Sequence, residues 1–255
     1  WSSDVCSSDL TRMTTISNNL ANVSTTGFKR DRAVFEDLLY QNIRQPGGTT
    51  GGDNQAPTGL MLGTGVRVVS TEKSHTQGSM MQTDNALDLA LMGEGMFQIL
   101  QPDGTIAYTR DGSLKLSNLR QLVTSSGEPL QPTITIPEDA ESISIGNDGT
   151  VTVQPYGNSE EVQVGEIQIA RFLNYAGLEP IGRNLYRPTS ASGEPVVVTP
   201  GDAGAGSIMQ GSLESSNVNV VQELVDMIET QRAYEVSSKS ISSVDEMLRF
   251  LSQNL

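Results

Sequence analysis

A nucleophile paired with a base would have to use His75, the single histidine of the chain, or do without an imidazole. His75 lies in STEKSHTQGSM, a polar segment with no apolar walls beside it, and reads as a solvated loop residue. Glu138, Asp139 and Glu141 follow Pro137. Two such carboxylates could share acid–base hydrolysis, but acids clustered just ahead of a strand read as a solvated turn. Asn147-Asp148-Gly149 carries a fragment of a calcium loop without the further acidic ligands at alternate positions, and reads as a hairpin turn. Gly63-Thr64-Gly65 and Gly93-Glu94-Gly95 are GxG pairs with neither a third glycine nor a helix behind them, so they are turns rather than phosphate cradles. One cysteine (Cys6) and one histidine fall short of the four ligands of a structural zinc site and of any disulfide framework. No catalytic, cofactor-binding or metal-binding residue is expected, and no cofactor.

The elements that would have to position such groups have a purpose of their own. From Ser212 to Leu255 the chain has no Gly and no Pro, and apolar residues recur at steps of four and three, Val220, Leu224 and Met227, and then at their sum of seven, Tyr234, Ile241, Leu248 and Leu255. Val221, Val225, Ile228, Val244 and Leu251 flank that seam. A helix of about 40 residues would be roughly 60 Å long, more than a compact domain of this size covers with its own core. Near the front, Met13, Ile16, Leu20 and Val23 keep a three-four-three spacing, and ANVSTTG stops that helix with Gly27 placed for a left-handed end. FKRDRAVFEDLLYQNI (Phe28 to Ile43) reads as a second amphipathic segment, part helix and part extended. WSSDVCSSDL has neither helical nor strand periodicity and reads as an anomalous start, foreign to the rest.

The middle is β-rich. In SISIGNDGTVTV, Ile143 and Ile145 alternate with polar residues, as do Val151 and Val153 across the Asn147-Asp148-Gly149 turn. MFQILQPDGTIAYTRDGSL places Asp103-Gly104 and Asp111-Gly112 turns between short strands. EVQVGEIQIARF alternates through Val162, Val164, Ile167 and Ile169, with Gly165 as a bulge. PGGTTGGDNQAPTG (Pro46 to Gly59) is a flexible loop by composition. Over the whole 255-residue chain the formal net charge is −14, which argues against nucleic acid or an anionic membrane as partner. No apolar run approaches the roughly 20 residues of a membrane span. The expected fold is α+β: long N- and C-terminal helices form a coiled-coil-like core around a central antiparallel β-rich domain. The expected division is 1–10 anomalous start, 11–44 with 212–255 as a discontinuous helical domain, 45–70 as extended loop and linker, and 71–211 as the β-rich outer domain.

NNLANVSTTGFKRDRAVFEDLLYQ (Asn18 to Gln41) and SNVNVVQELVDMIETQRAYEVSSK (Ser216 to Lys239) resemble the N- and C-terminal signatures of the bacterial flagellar rod and hook proteins. GEGMFQI and YTRDGSL resemble the entry to that family's β-domain, and RAVFEDLLYQNIRQPG with GTGVRVVSTEKSHTQGSM points to the distal-rod branch over hook or proximal rod. The resemblance implies a non-enzymatic subunit, exported by the flagellar type III apparatus, that stacks into a helical tube crossing the periplasm and transmits torque from motor to hook. It implies a homopolymer, with other rod proteins and the hook protein axially and the peptidoglycan- and lipopolysaccharide-layer ring proteins outside. Pro46 to Gly59 corresponds to an extension that stiffens the rod. The assembly interface is expected at Met13, Ile16, Leu20, Val23, Val221, Leu224, Ile228, Tyr234, Ile241, Leu248 and Leu251. The family usually has Gly in the turn before the LVT strand. Here SNLRQLVT puts Arg120 there, where a positive φ is strained, so a remodelled hairpin is expected. The competing readings are a hook or proximal rod subunit, or a secreted β-sandwich binding module on a helical stalk.

Overall fold

The computed structural model describes residues 2–45, 49–51, 54–55, 58–157, 160–202 and 204–253. The chain divides into two units. One contains residues 1–21, 31–73 and 219–255; the other contains 22–30 and 74–218.

The first unit holds both α-helices of the described residues, α1 (Ser2–Ala21) and α2 (Val220–Gln253). Asn219 caps α2: its Oδ1 accepts from the backbone N–H groups of Val221 at 3.0 Å and Gln222 at 3.3 Å. Asn19, near the end of α1, donates to the Glu223 carboxylate near the start of α2 at 3.2 Å, so the helices run antiparallel side by side. The same Asn19 closes a two-way bond with the Asp31 backbone, donating to its carbonyl and accepting from its N–H, both at 2.8 Å. From Asp31 the chain runs as a β-ribbon. Strand Asp31–Asp37 pairs antiparallel with Val66–Lys73, and Tyr40–Arg44 pairs with Leu60–Gly63. Ion pairs tie the ribbon across: Asp31 with Lys73 at 2.8 Å, Arg32 with Glu72 at 3.1 Å, and Glu36 with Arg67.

In the second unit the described strand pairs are all antiparallel, and one 3₁₀ turn spans Tyr175–Gly177. Its largest sheet runs Glu179–Gly182, Leu185–Arg187, Ile106–Thr109, Met96–Leu100, Ile169–Arg171, Val196–Val198, with Leu130–Gln131 also pairing on Met96–Leu100. A three-stranded sheet, Ala140–Ile145, Thr150–Pro155 and Val162–Glu166, contributes Ile145, Val151 and Val153 to the same apolar core as Leu89, Phe97, Ile99 and Ile169. Ile143 opposes Val153 and Ile145 opposes Val151, the register that the sequence alternation predicts. Gly165 sits at the expected bulge: Val151 faces Gly165, but Thr152 faces Gln163, so Val164 is the extra residue.

Several expectations need correction. Among the described residues the fold is mostly β with two α-helices, not an α+β fold whose long terminal helices make a coiled-coil-like core. α1 has 20 residues against 34 in α2, and no described side chain of α2 beyond Ser237 is buried or half-buried. Such a core needs a continuous buried seam, and here the seam is open to solvent. Phe28 to Ile43 contains no helix. It leads into strands, because its partner is the β-branched run Val66–Lys73, which lies too far along the chain for a local pattern to reveal. Ser212–Glu214 is also strand, paired with Met80–Gln82, and helix begins only after the Asn219 cap. Ser2–Leu10, which lacks periodicity, is nonetheless helical. α1 stops at Ala21, and Gly27 has its positive φ of 68° six residues later, where a Cβ would meet the Asp111 backbone N at 2.7 Å. Arg120 adopts the left-handed conformation itself, with φ 58°, in a hairpin that keeps its ladder between Lys115–Leu116 and Leu122–Val123. Its guanidinium donates to the Pro137 carbonyl at 2.8 Å. Much of Pro46 to Gly59 lies outside the described residues; within it Thr49–Gly51 and Asn54–Gln55 form a short antiparallel pair.

Candidate assembly interface

The polar centre of the second unit is a buried ionic triad. Glu214 ends a strand, and its Oε1 accepts from Lys29 Nζ at 2.7 Å and from the Gly78 N–H at 2.8 Å. Its Oε2 accepts from Arg110 Nε at 2.5 Å. Lys29 also donates to the Thr76 carbonyl at 2.7 Å, and Arg110 donates to the carbonyls of Gly95 at 2.5 Å, Leu91 at 3.0 Å and Gly93. Lys29, Arg110 and Glu214 are 1%, 5% and 2% exposed. Burial pushes the Lys29 pKa below the usual lysine range, and the attraction of Glu214 only partly restores it. Burial pushes Glu214 up, but the charges of Arg110 and Lys29 and the Lys29 and Gly78 hydrogen bonds outweigh it, so its pKa lies below that of an ordinary glutamate. The triad fastens residues 22–30 to the β strands of their own unit, a tie repeated by Gly27 N–H to the Glu214 carbonyl at 2.8 Å.

His75 departs from the solvated loop expected of it. It is half-buried, with its ring 5.6 Å from both Tyr175 and Tyr186. Glu138, Asp139 and Glu141 lie at the start of the Ala140–Ile145 strand, and Asn147-Asp148-Gly149 is its hairpin turn. The Thr150 side chain and backbone N–H hydrogen-bond Asp148 and hold its carboxyl below the usual range.

In the first unit the two helix faces differ. Glu223 and Thr230 are buried, and Met227 and Tyr234 are half-buried beside them. Val221, Leu224, Val225 and Ile228 are exposed. At 100° per residue Val221, Val225 and Ile228 stand about half a turn away from Glu223 and Thr230. Ile241, Val244 and Leu248 fall on the Glu223 side but further along, and are exposed. Of the residues expected at an interface, Ile16 is buried, and Met13, Leu20, Val23 and Tyr234 are half-buried, with Val23 belonging to the second unit. Val221, Leu224, Ile228, Ile241 and Leu248 are exposed, and the Leu251 side chain lies outside the described residues. Sequence reasoning missed Asn19, Lys29, Arg110, Glu214 and Glu223. Lys29 and Arg110 lie in motifs that drew notice for other reasons. Their partner is more than 100 residues away, and no local pattern points to it.

A β unit pinned by a buried triad stands beside a helical unit whose apolar residues on α2 are left open to solvent, a surface suited to association. Three family models match the chain: "Flagella basal body rod protein" over residues 7–29, "Flagellar hook protein FlgE/F/G D1 domain" over 90–153, and "Flagellar basal body rod FlgEFG protein C-terminal" over 209–254. The flagellar basal-body rod protein FlgG of Buchnera aphidicola from Schizaphis graminum is 54% identical over 94% of this chain and 93% of its own. That of Bacillus subtilis is 40% identical over 94% and 92%. The flagellar hook-basal body complex protein FlhP of the same bacterium is 31% identical over 92% and 90%. The chain belongs to the flagellar basal-body rod protein family, a family of structural proteins and not of enzymes.

Proposed function

We propose that this chain polymerises through the open helix faces of its first unit into a helical tube that transmits torque from motor to hook across the periplasm, with no catalytic step. It is a structural subunit of the flagellar basal-body distal rod, and its family assembles with other rod and hook proteins. In this reading the interface residues are Met13, Ile16, Leu20, Val221, Leu224, Ile228, Tyr234, Ile241, Leu248 and Leu251 of the first unit, together with Val23 of the second. Residues 11–44 and 212–255 form the inner part of the subunit, 45–70 the extension, and 71–211 the outer layer. The outer partners are the ring proteins of the peptidoglycan and lipopolysaccharide layers, and the chain arrives by flagellar type III export. Heterologous contacts that do not close on themselves give an open filament.

The observation that carries the reading is the exposure of Val221, Leu224, Ile228, Ile241 and Leu248 on one helix of a single chain. Full burial of one such side chain contributes about 1.5–3 kcal/mol, which a neighbour can recover and solvent cannot. Sedimentation velocity with negative-stain microscopy across a concentration series tests it. Wild type should form rods, while Ile241→Asp and Leu248→Asp stay monomeric with an unchanged β signal in circular dichroism. Rods from either variant would refute the assignment.

A further inference from the structure

The second unit contains a cavity of about 440 Å³ lined by Lys29, Arg110, His75, Gln77, Glu94 and Tyr175, among others. Lys29 and Arg110 are nine-tenths or more buried and carry two positive charges, while Glu214 supplies one negative charge. The donor count is also unbalanced. An ammonium has three N–H groups, and Lys29 uses two, on Glu214 and the Thr76 carbonyl. A guanidinium has five, and Arg110 uses four, on Glu214 and the carbonyls of Gly95, Leu91 and Gly93. One donor on each cation has no acceptor among the described residues. Glu214 accepts one bond from each cation and one from the Gly78 N–H, and neither leftover donor reaches it. The cavity's own acid, Glu94, is more exposed and pairs with Arg171 at 3.0 Å. A buried excess of positive charge beside an open cavity favours an anion small enough to enter.

We propose that this cavity is a carboxylate-binding site, and that in the polymer its occupant is an acidic side chain of a second copy of this chain. The net charge of −14 makes every neighbouring copy a source of carboxylates. Only the identity of the occupant rests on the polymer reading; the site itself does not.

Because the chain has one histidine, and it lines the cavity, a chain labelled at histidine gives a single imidazole signal that reports on the site. Sodium acetate is titrated into the monomer against sodium chloride at equal ionic strength. A saturable displacement of the His75 signal with acetate, half complete below about 100 mM, is expected, since four heavy atoms bind weakly at best. Superimposable acetate and chloride titrations would overturn the site. Lys29→Met should abolish the displacement but risks unfolding. Gln77→Glu is the safer variant. Gln77 accepts from the Gly93 N–H at 3.2 Å, which a glutamate still does; it also donates to the Leu91 carbonyl at 3.3 Å, a bond the glutamate loses, and the new carboxylate occupies the cavity from within. It should remove the acetate response while the chain stays folded, with a fall in melting temperature no larger than one lost hydrogen bond gives; a retained response would also overturn the site. In the polymer arm, Gln77→Glu should raise the critical concentration severalfold. An unchanged value alongside a positive titration would overturn the second copy as occupant. Failure of wild type to polymerise would strike the proposed function and the occupant, and the acetate result would stand.

Discussion

Glu214→Gln removes the one carboxylate that the two buried cations share. Breaking a buried ion pair from one side costs about 3–5 kcal/mol, because a charge is left buried and uncompensated. Lys29 and Arg110 both keep backbone carbonyls as acceptors, and the amide oxygen of Gln can still accept one bond. The loss should therefore fall near the lower end, about 3 kcal/mol, which for a unit of this size is about 6–12 °C in melting temperature. The pH dependence separates this from simple loss of packing. The Glu214 pKa is depressed in the folded state, so its contribution is fully present above the ordinary glutamate range and is lost as pH falls through the lower folded value. The gap between wild type and variant, full at pH 7, should close in acid. Lys29 works the other way. Its folded pKa is below that of the unfolded chain, so stability rises with pH between the two values, as the folded state sheds a proton that the unfolded state keeps. Without Glu214 the attraction opposing burial is gone, and the Lys29 pKa falls further. Part of the variant's deficit should then be recovered as pH rises towards 10.5. Calorimetry of both chains from acid to alkali reads all three effects. A deficit below 1 kcal/mol at pH 7, or one constant with pH, would refute the account of the triad.

Asn19→Ala removes both bonds to the Asp31 backbone and the bond to buried Glu223, and should cost about 2–3 kcal/mol. Hydrogen exchange along α1 should show earlier opening, and unchanged protection would count against the junction. Gly112→Ala would place a Cβ 1.7 Å from the Leu89 carbonyl oxygen, and should destabilise the β unit by more than about 4 kcal/mol in thermal melts. Gly127→Ala, with φ 91° and open space around it, should cost only about 1–2 kcal/mol. Deleting Thr49 to Ala56 should give rods that bend more easily in electron micrographs; unchanged curvature would reduce that segment to a passive linker.

The sequence was legible where structure is local. The Ser142–Val153 hairpin was readable because its alternation and its Asn-Asp-Gly turn lie within twelve residues, and both agree with the buried register of Val151 and Val153. The Gly165 bulge was readable for the same reason. Phe28 to Ile43 was misread because its helical spacing is accidental, and the strand Val66–Lys73 that decides its state lies beyond any short window. Ser212–Val218 was misread because absence of Gly and Pro permits a helix without requiring one, and the Asn219 cap fixes where helix begins. Arg120 shows that a strained φ need not remodel a turn: the hairpin ladder around it is kept and the guanidinium finds the Pro137 carbonyl. The triad was not legible at all, since Lys29 and Glu214 meet only once the β unit has closed.

The corrected picture of the helices changes what drives association. A stripe read from spacing alone joins Val220, Leu224, Met227, Tyr234, Ile241 and Leu248 into one seam. The structure splits that seam by environment. Met227 and Tyr234 lie on the face that meets α1, which is polar at its best-buried points, Asn19, Glu223 and Thr230. Val221, Val225 and Ile228 occupy the opposite side, and Ile241, Val244 and Leu248 are exposed further along α2. Between the helices the Asn19–Glu223 bond nets only about 1 kcal/mol after desolvation, and among the described apolar residues of α1 and α2 only Ile16 and half-buried ones such as Met13, Leu20, Met227 and Tyr234 are withdrawn from solvent. The larger reserve of apolar surface is held on faces that α1 does not cover, and these point in two directions. One neighbour cannot cover both. If assembly uses this reserve, each α2 is buried by at least two other chains, and charge at Val221 or Ile228 should block a different contact from charge at Ile241 or Leu248. Mixing the two classes of variant then decides the matter. Short oligomers from the mixture, where each variant alone stays monomeric, would show two separate faces that meet head to tail, and monomers throughout would show that both sets of residues serve one face.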